Sequence, residues 1–191
     1  PQFSTGPQWA QRPIDDLIAD PLAFMLKTHC LASESRLPAV YLVRDGRDVL
    51  VSYAKYAPRN DASFKMPPEV FRNNLQTRMC TGCPRYGNWS TNVASWIDRP
   101  NTFVLNFTDL IADPVESVKR MIDTLNLPLT LKSETPPTFE QLQATNPKLY
   151  RRGKVGSWQD EFPPDLLSVF WERHGATMQR LGFDDRKRAS A

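Results

Sequence analysis

The feature that most limits what this chain can fold into is Ala39-Val40-Tyr41-Leu42-Val43, followed at once by Arg44-Asp45-Gly46 and then by a helical pattern. Five consecutive apolar, β-favouring residues without polar alternation predict a strand buried on both faces, as at the centre of a parallel sheet. Arg-Asp-Gly is a turn signal. Over residues 48–56, Val49, Tyr53 and Tyr56 recur at helical spacing. Strand, tight turn and helix in this order form the unit of an α/β fold. A chain of 191 residues is long enough for one domain with its own core, so a single domain over 1–191 is expected.

The other elements follow from periodicity and caps. Residues 1–21 read as loop with a short helical stretch at 14–19. Phe24-Met25-Leu26 reads as a short strand that stops at Lys27-Thr28-His29. Residues 57–85 are rich in Pro, Asn and Arg and read as a long irregular loop, a candidate substrate lid. A helix is expected over 89–97, a second strand over 102–107, and an amphipathic helix over 114–125 capped by Asp113 with Pro114 at its first position. A short helix over 138–144 begins at a Thr cap, and 150–158 form a basic loop containing glycine. The final helix, 166–181, turns Leu167, Phe170, Trp171, His174, Met178 and Leu181 inward. The tail 184–191 is expected to lack fixed structure.

Composition narrows the classes. A net charge of +3 is too small to imply a nucleic-acid footprint by itself. No apolar run reaches the length of a membrane span, and the first residues lack a signal-peptide pattern. Three cysteines, Cys30, Cys80 and Cys83, make no disulfide framework and favour a reducing, cytoplasmic setting. Cys80-Thr81-Gly82-Cys83 lacks the second pair or nearby histidine that a structural zinc site needs.

Three segments carry chemistry. Arg44 stands at the carboxyl end of the predicted strand, where open α/β sheets bind ligands. Its guanidinium suits phosphate oxygens, and the following helix start adds N–H donors and a positive dipole. Ser52 lies one turn into that helix and can face the same crevice. The alternative for Arg44 is an ion pair with Asp45 or Asp48. The second segment is Arg151-Arg152-Gly153-Lys154-Val155-Gly156-Ser157-Trp158. Three cations in four residues repel one another unless an anion neutralises them, and two glycines admit close backbone approach. A solvated basic loop is the alternative. The third is Lys27-Thr28-His29: a His here can act as a general base, with Lys27 on the same side of an extended chain. For a lone His the alternative is a structural hydrogen bond, and that is the expectation for His174.

Together these segments resemble the PAPS-dependent sulfotransferase family, in its cytosolic-type branch (PAPS is 3'-phosphoadenosine 5'-phosphosulfate). Lys27-Thr28-His29 resembles the family's Lys-Thr-His stretch. Tyr41 to Tyr53 resembles its 3'-phosphate-binding strand and helix, and Arg151 to Trp158 its Arg-Lys-Gly-x-x-Gly-x-Trp loop. The resemblance runs from about Phe24 to Phe183. It implies a P-loop NTPase-like α/β fold, a parallel sheet flanked by helices. It implies that Arg44 and Ser52 bind the 3'-phosphate, with Arg151, Arg152 and Gly153 closing over it. Phe139 would stack on adenine, and Phe107 stands where the family often has a Tyr at the adenine edge. His29 would take the acceptor's proton and Lys27 would steady the transferring group. PAPS is the implied donor and PAP the product, with no metal. The implied partner is a small-molecule acceptor, without nucleic acid or membrane; a homodimer is compatible.

The sequence departs from the family at its start. Phe3-Ser4-Thr5-Gly6 has no lysine and no preceding strand, and nothing here matches the family's Pro-Lys-Ser-Gly-Thr-Thr-type loop for the 5'-phosphosulfate. The sheet is therefore expected to be incomplete at its N-terminal end. Two other functions compete with sulfuryl transfer: a non-catalytic PAP- or PAPS-binding module, and a kinase-like phosphotransferase. The absence of a Walker A sequence argues against the latter.

Overall fold

The computed structural model describes residues 12–20, 24–55, 66–82, 85–146 and 154–183. After a short helix α1 (Ile14–Ile18), the strand β1 (Ala39–Val43) leads through Asp45 into helix α2 (Gly46–Ala54). Helices α3 (Pro68–Cys80) and α4 (Trp89–Ile97) precede strand β2 (Thr102–Asn106). Helices α5 (Phe107–Ala112), α6 (Pro114–Thr124) and α7 (Phe139–Thr145) come next. A 3-10 helix (Ser157–Asp160) and the long α8 (Pro164–Arg180) complete the series.

Local chemistry accounts for most of these starts. Asp45 caps α2 by accepting from Arg47 N, Asn88 caps α4, Asp113 caps α6, and Thr138 opens α7 in a reciprocal capping box with Gln141. Gly46 is required for another reason: a Cβ there would stand 2.8 Å from the Trp89 ring, so α4 can lie against the first turn of α2 only over a glycine. Helix α5 is not among the elements that periodicity predicts. Its signal is Asn106, whose side chain accepts from Thr108 N.

The two strands pair in parallel, with Val43 beside Asn106. Helix α4 packs against both strands on the face of Tyr41, whose ring stacks on Trp96 at 5.9 Å. Helices α5 and α6 pack against β2. The core lies in the helical layer beside the sheet. It joins Val43, Leu50, Val51, Leu75, Met79, Val93, Phe170 and Met178 from β1, α2, α3, α4 and α8, with Phe162 from the turn before α8. Among the described residues no helix is long and apolar enough to cross a membrane.

Three expectations need correction. β1 is not buried on both faces: Val40 and Leu42 are 43% and 48% exposed. Side chains alternate along a strand, so these two share the face opposite Tyr41. Leu105, paired with Leu42 on that face, is buried, because the helices after β2 pack against β2 and leave β1 open. The segment 57–85 is not irregular throughout. Pro68–Cys80 is a helix whose Leu75 and Met79 are fully buried against α2 and α8. A polar-looking sequence hides this, since only Leu75 and Met79 of its thirteen residues are buried, with Phe71 and Cys80 packed at the edge of the core. Finally, Phe24-Met25-Leu26 forms no strand, and Met25 is 92% exposed. A strand needs a ladder partner, and among the described residues that segment has none.

Candidate active site

Because β1 and β2 are parallel and end together, the residues after them emerge side by side at one edge of the sheet. These are Arg44 and Phe107. The Arg44 guanidinium sits over the Phe107 ring, 4.6 Å from its centre. Of the two carboxylates open to Arg44, it pairs with Asp48: Nε and Nη2 donate to Oδ2 at 3.3 and 3.0 Å. Nη2 also donates to the Lys154 carbonyl at 2.7 Å. Asp45 instead holds Arg47, which is buried under Trp158. Arg44 keeps a partly exposed side chain, and its third nitrogen, Nη1, has no partner among the described residues.

The glycine loop reaches the same edge. Gly156 N and Trp158 N each donate to Asp48 at 2.9 Å, and Ser157 Oγ donates at 3.1 Å. Gly156 has φ 78°, the left-handed region where a side chain is strained, and this turns its N–H toward Asp48. At the far end of α2, Lys55 pairs with Glu161. The segment is thus tied to α2 at both ends. An open depression of about 560 Å³ is lined by Lys154, Val155, Gly156, Ser157 and Asp160. Arg151, Arg152 and Gly153, placed in this site from the sequence, lie outside the described residues.

Ser52 is exposed on α2, four residues beyond Asp48 and so on the same helix face. Phe139 is the first residue of α7 and half-buried. Lys27 and His29 are exposed. Although no strand carries them, helix α4 holds the main chain at His29 and Cys30. Asn92 Nδ2 donates to the His29 carbonyl at 3.2 Å and Trp96 Nε1 to the Cys30 carbonyl at 2.9 Å. The same Asn92 accepts from Tyr41 Oη at 3.0 Å. The His29 main chain is therefore linked to β1 three residues before Arg44, roughly 10 Å along the strand. Partial burial, and then the charge of Lys27, hold the His29 imidazole below its ordinary pKa. Its ring is neutral near pH 7 and able to accept a proton.

His174 has a different setting. It is 1% exposed, with Nε2 3.2 Å from the Met79 carbonyl and Nδ1 2.7 Å from Ser90 Oγ. A carbonyl only accepts, so Nε2 carries the proton and Nδ1 accepts from Ser90. Its polar groups are satisfied within the helical layer, as its sequence position implied. Sequence reasoning does not single out Asn92, and it reaches Asp48 only as a partner of Arg44. Asp48 is one residue in a helix start, and its loop partners are more than a hundred positions away.

Comparison with known proteins places these features in context. A family model described as the sulfotransferase domain matches residues 20–182. Flavonol 3-sulfotransferase of Flaveria bidentis is 25% identical, over 76% of this chain and 57% of that protein. Sulfotransferase 2A6 of Mus musculus is 27% identical, over 71% of this chain and 54% of that protein. The chain thus spans about half the length of the curated relatives it matches. Among solved structures, mouse sulfotransferase SULT7A1 complexed with PAP is similar in fold, with a TM-score of 0.56 at 20% identity over 80% of this chain and 61% of that one.

Proposed function

Given that this chain belongs to the sulfotransferase domain family, we propose that it moves the sulfuryl group of PAPS to a hydroxyl or amine of a small acceptor. One observation carries the reading: Arg44, Phe107 and the Lys154–Trp158 segment converge at the carboxyl edge of two parallel strands. A nucleotide phosphate fits this donor set. Among the described residues one Arg44 nitrogen has no partner, and Ser52 presents a hydroxyl on the same helix face as Asp48. On this reading Arg44 and Ser52 hold the 3'-phosphate, joined by Arg151, Arg152 and Gly153. Phe139 stacks on the adenine and Phe107 lies at its edge.

The transfer is a displacement at sulfur. The acceptor's lone pair forms the new bond to sulfur, and the bond to the 5'-phosphate oxygen breaks. PAP leaves with that electron pair. His29 takes the acceptor's proton, for which its neutral ring is suited. Lys27 offsets the negative charge that builds on the transferring group.

The second reading is nucleotide binding without transfer. It is favoured by the placement of Arg44, Phe107 and the Lys154–Trp158 segment, which on this reading all serve the 3'-phosphate and adenine end of the nucleotide and not the transferring group. Calorimetric titration with PAP, beside a sulfate-transfer assay with PAPS and a panel of phenols, sterols and amines, separates the two. Binding with turnover is the expected result. Binding without turnover on any acceptor selects the second reading, and no binding of PAP removes both.

A further inference from the structure

Asp48 carries a charge that a folded chain can bury only at considerable cost unless it is fully paired. Its residue is 1% exposed, and its carboxylate receives five hydrogen bonds. Two come from Arg44, four residues earlier. The other three come from Gly156, Ser157 and Trp158, 108 to 110 residues later. Oδ2 receives Arg44 and Gly156, while Oδ1 receives Ser157 and Trp158. The two oxygens are thus shared between the end of β1 and the glycine loop. Asp48 also sits in the first turn of α2, where the helix dipole favours a negative charge.

The geometry on the Arg44 side is directional. By engaging Nε and Nη2, Asp48 fixes the plane of the guanidinium and leaves Nη1 as the corner that no described residue occupies. The Lys154 carbonyl, delivered by the anchored loop, holds Nη2 from a second direction at 2.7 Å. A free arginine side chain would sample many rotamers, and fixing it removes that entropy before any ligand arrives. Asp48 also opposes ligand binding in one respect, because its charge competes with a phosphate for the same guanidinium. The two effects predict opposite results when the charge is removed.

We propose that Asp48 is a positioning residue for the donor site. It clamps the Lys154–Trp158 segment against the end of β1 and orients Arg44, so that the site selects a nucleotide bearing a 3'-phosphate. The selectivity rests on the nucleotide reading above; the clamp does not.

Two measurements on the full 191-residue chain separate them. In the first, without nucleotide, trypsin cleavage after Lys154 is followed by mass spectrometry relative to cleavage after Lys132, an exposed site away from the clamp. Asp48→Asn keeps the shape but turns an amide toward donors that met a carboxylate. Cleavage at Lys154 should rise about tenfold relative to Lys132, the effect of local opening becoming easier. Ser157→Ala, which removes one donor and leaves the carboxylate paired with Arg44, should raise it about two- to threefold. Equal acceleration at both sites in both variants means general loosening and overturns the clamp, as does no change at Lys154. In the second measurement, PAP and adenosine 5'-monophosphate are titrated against parent and variants. Asp48→Asn should lower the preference for PAP about tenfold, with Ser157→Ala moving in the same direction. An unchanged ratio, as expected from a merely structural role, overturns the selectivity. A higher preference for PAP overturns it too, since competition for Arg44 would then be the larger effect. If the parent binds neither nucleotide, the nucleotide reading and the selectivity both fall, and the cleavage ratio alone decides the clamp.

Discussion

His29 keeps its imidazole neutral near pH 7 because partial burial disfavours its charge and Lys27 repels a second one. A base works only while unprotonated, so kcat/KM should fall as pH falls through the His29 pKa. That pKa is lowered, so the acidic limb should lie below the ordinary histidine value of 6.5. Lys27→Gln removes the repelling charge and should shift the limb upward, toward 6.5. A limb unmoved by Lys27→Gln would detach Lys27 from the histidine. His29→Ala should cost about 100- to 10,000-fold in turnover, the usual worth of a general base, while PAP affinity stays near the parent's. Near-normal turnover in that variant would leave His29 only its main-chain bond to Asn92. These assignments rest on residue type and order. The two residues that seat the site, Asn92 and Asp48, work through contacts 63 and 108 to 110 positions apart and leave little local signal.

Among the elements, α3 differs most from what its sequence suggests. It has a Pro at its start, scattered polar residues and few apolar ones. Yet Leu75 and Met79, four residues apart, form one stripe that the core buries completely. If α3 is part of the core, Leu75→Ala should lower unfolding stability by about 2–5 kcal/mol, the usual cost of an emptied core site. Urea denaturation measures it. Hydrogen exchange should show the amides of 75–80 as slow as those of β1. Exchange there as fast as in an exposed loop would restore the expectation of a lid to this stretch. The caps explain why the other helices are easier to place. Asp113, Thr138 and Asn88 satisfy the first N–H groups from within four residues, so their signal is written locally.

At the scale of the molecule, His174 joins three helices: α8 carries it, Met79 of α3 accepts from it, and Ser90 of α4 donates to it. Its ring also meets Trp89 edge-on at 5.8 Å. Burial lowers its pKa from 6.5. The unfolded chain therefore binds more protons below pH 6.5, and stability present above that value should be lost as pH falls through it. Urea unfolding at about pH 7.5 and 5.5 should give a lower stability at the acid value. His174→Gln should be less stable at the higher pH by about 1–3 kcal/mol and should lose less between the two. An equal loss in parent and variant would assign the acid sensitivity elsewhere. The sequence by itself determined the strand–turn–helix unit, the capped helices and the three segments that mark the family, because each depends on residues within a turn or two. Only the tertiary structure decided that β1 has one open face, that α3 belongs to the core, and that Asp48 joins Arg44 to the glycine loop. Burial and charge pairing are properties of surfaces that meet, and the chain brings those surfaces together only when it folds.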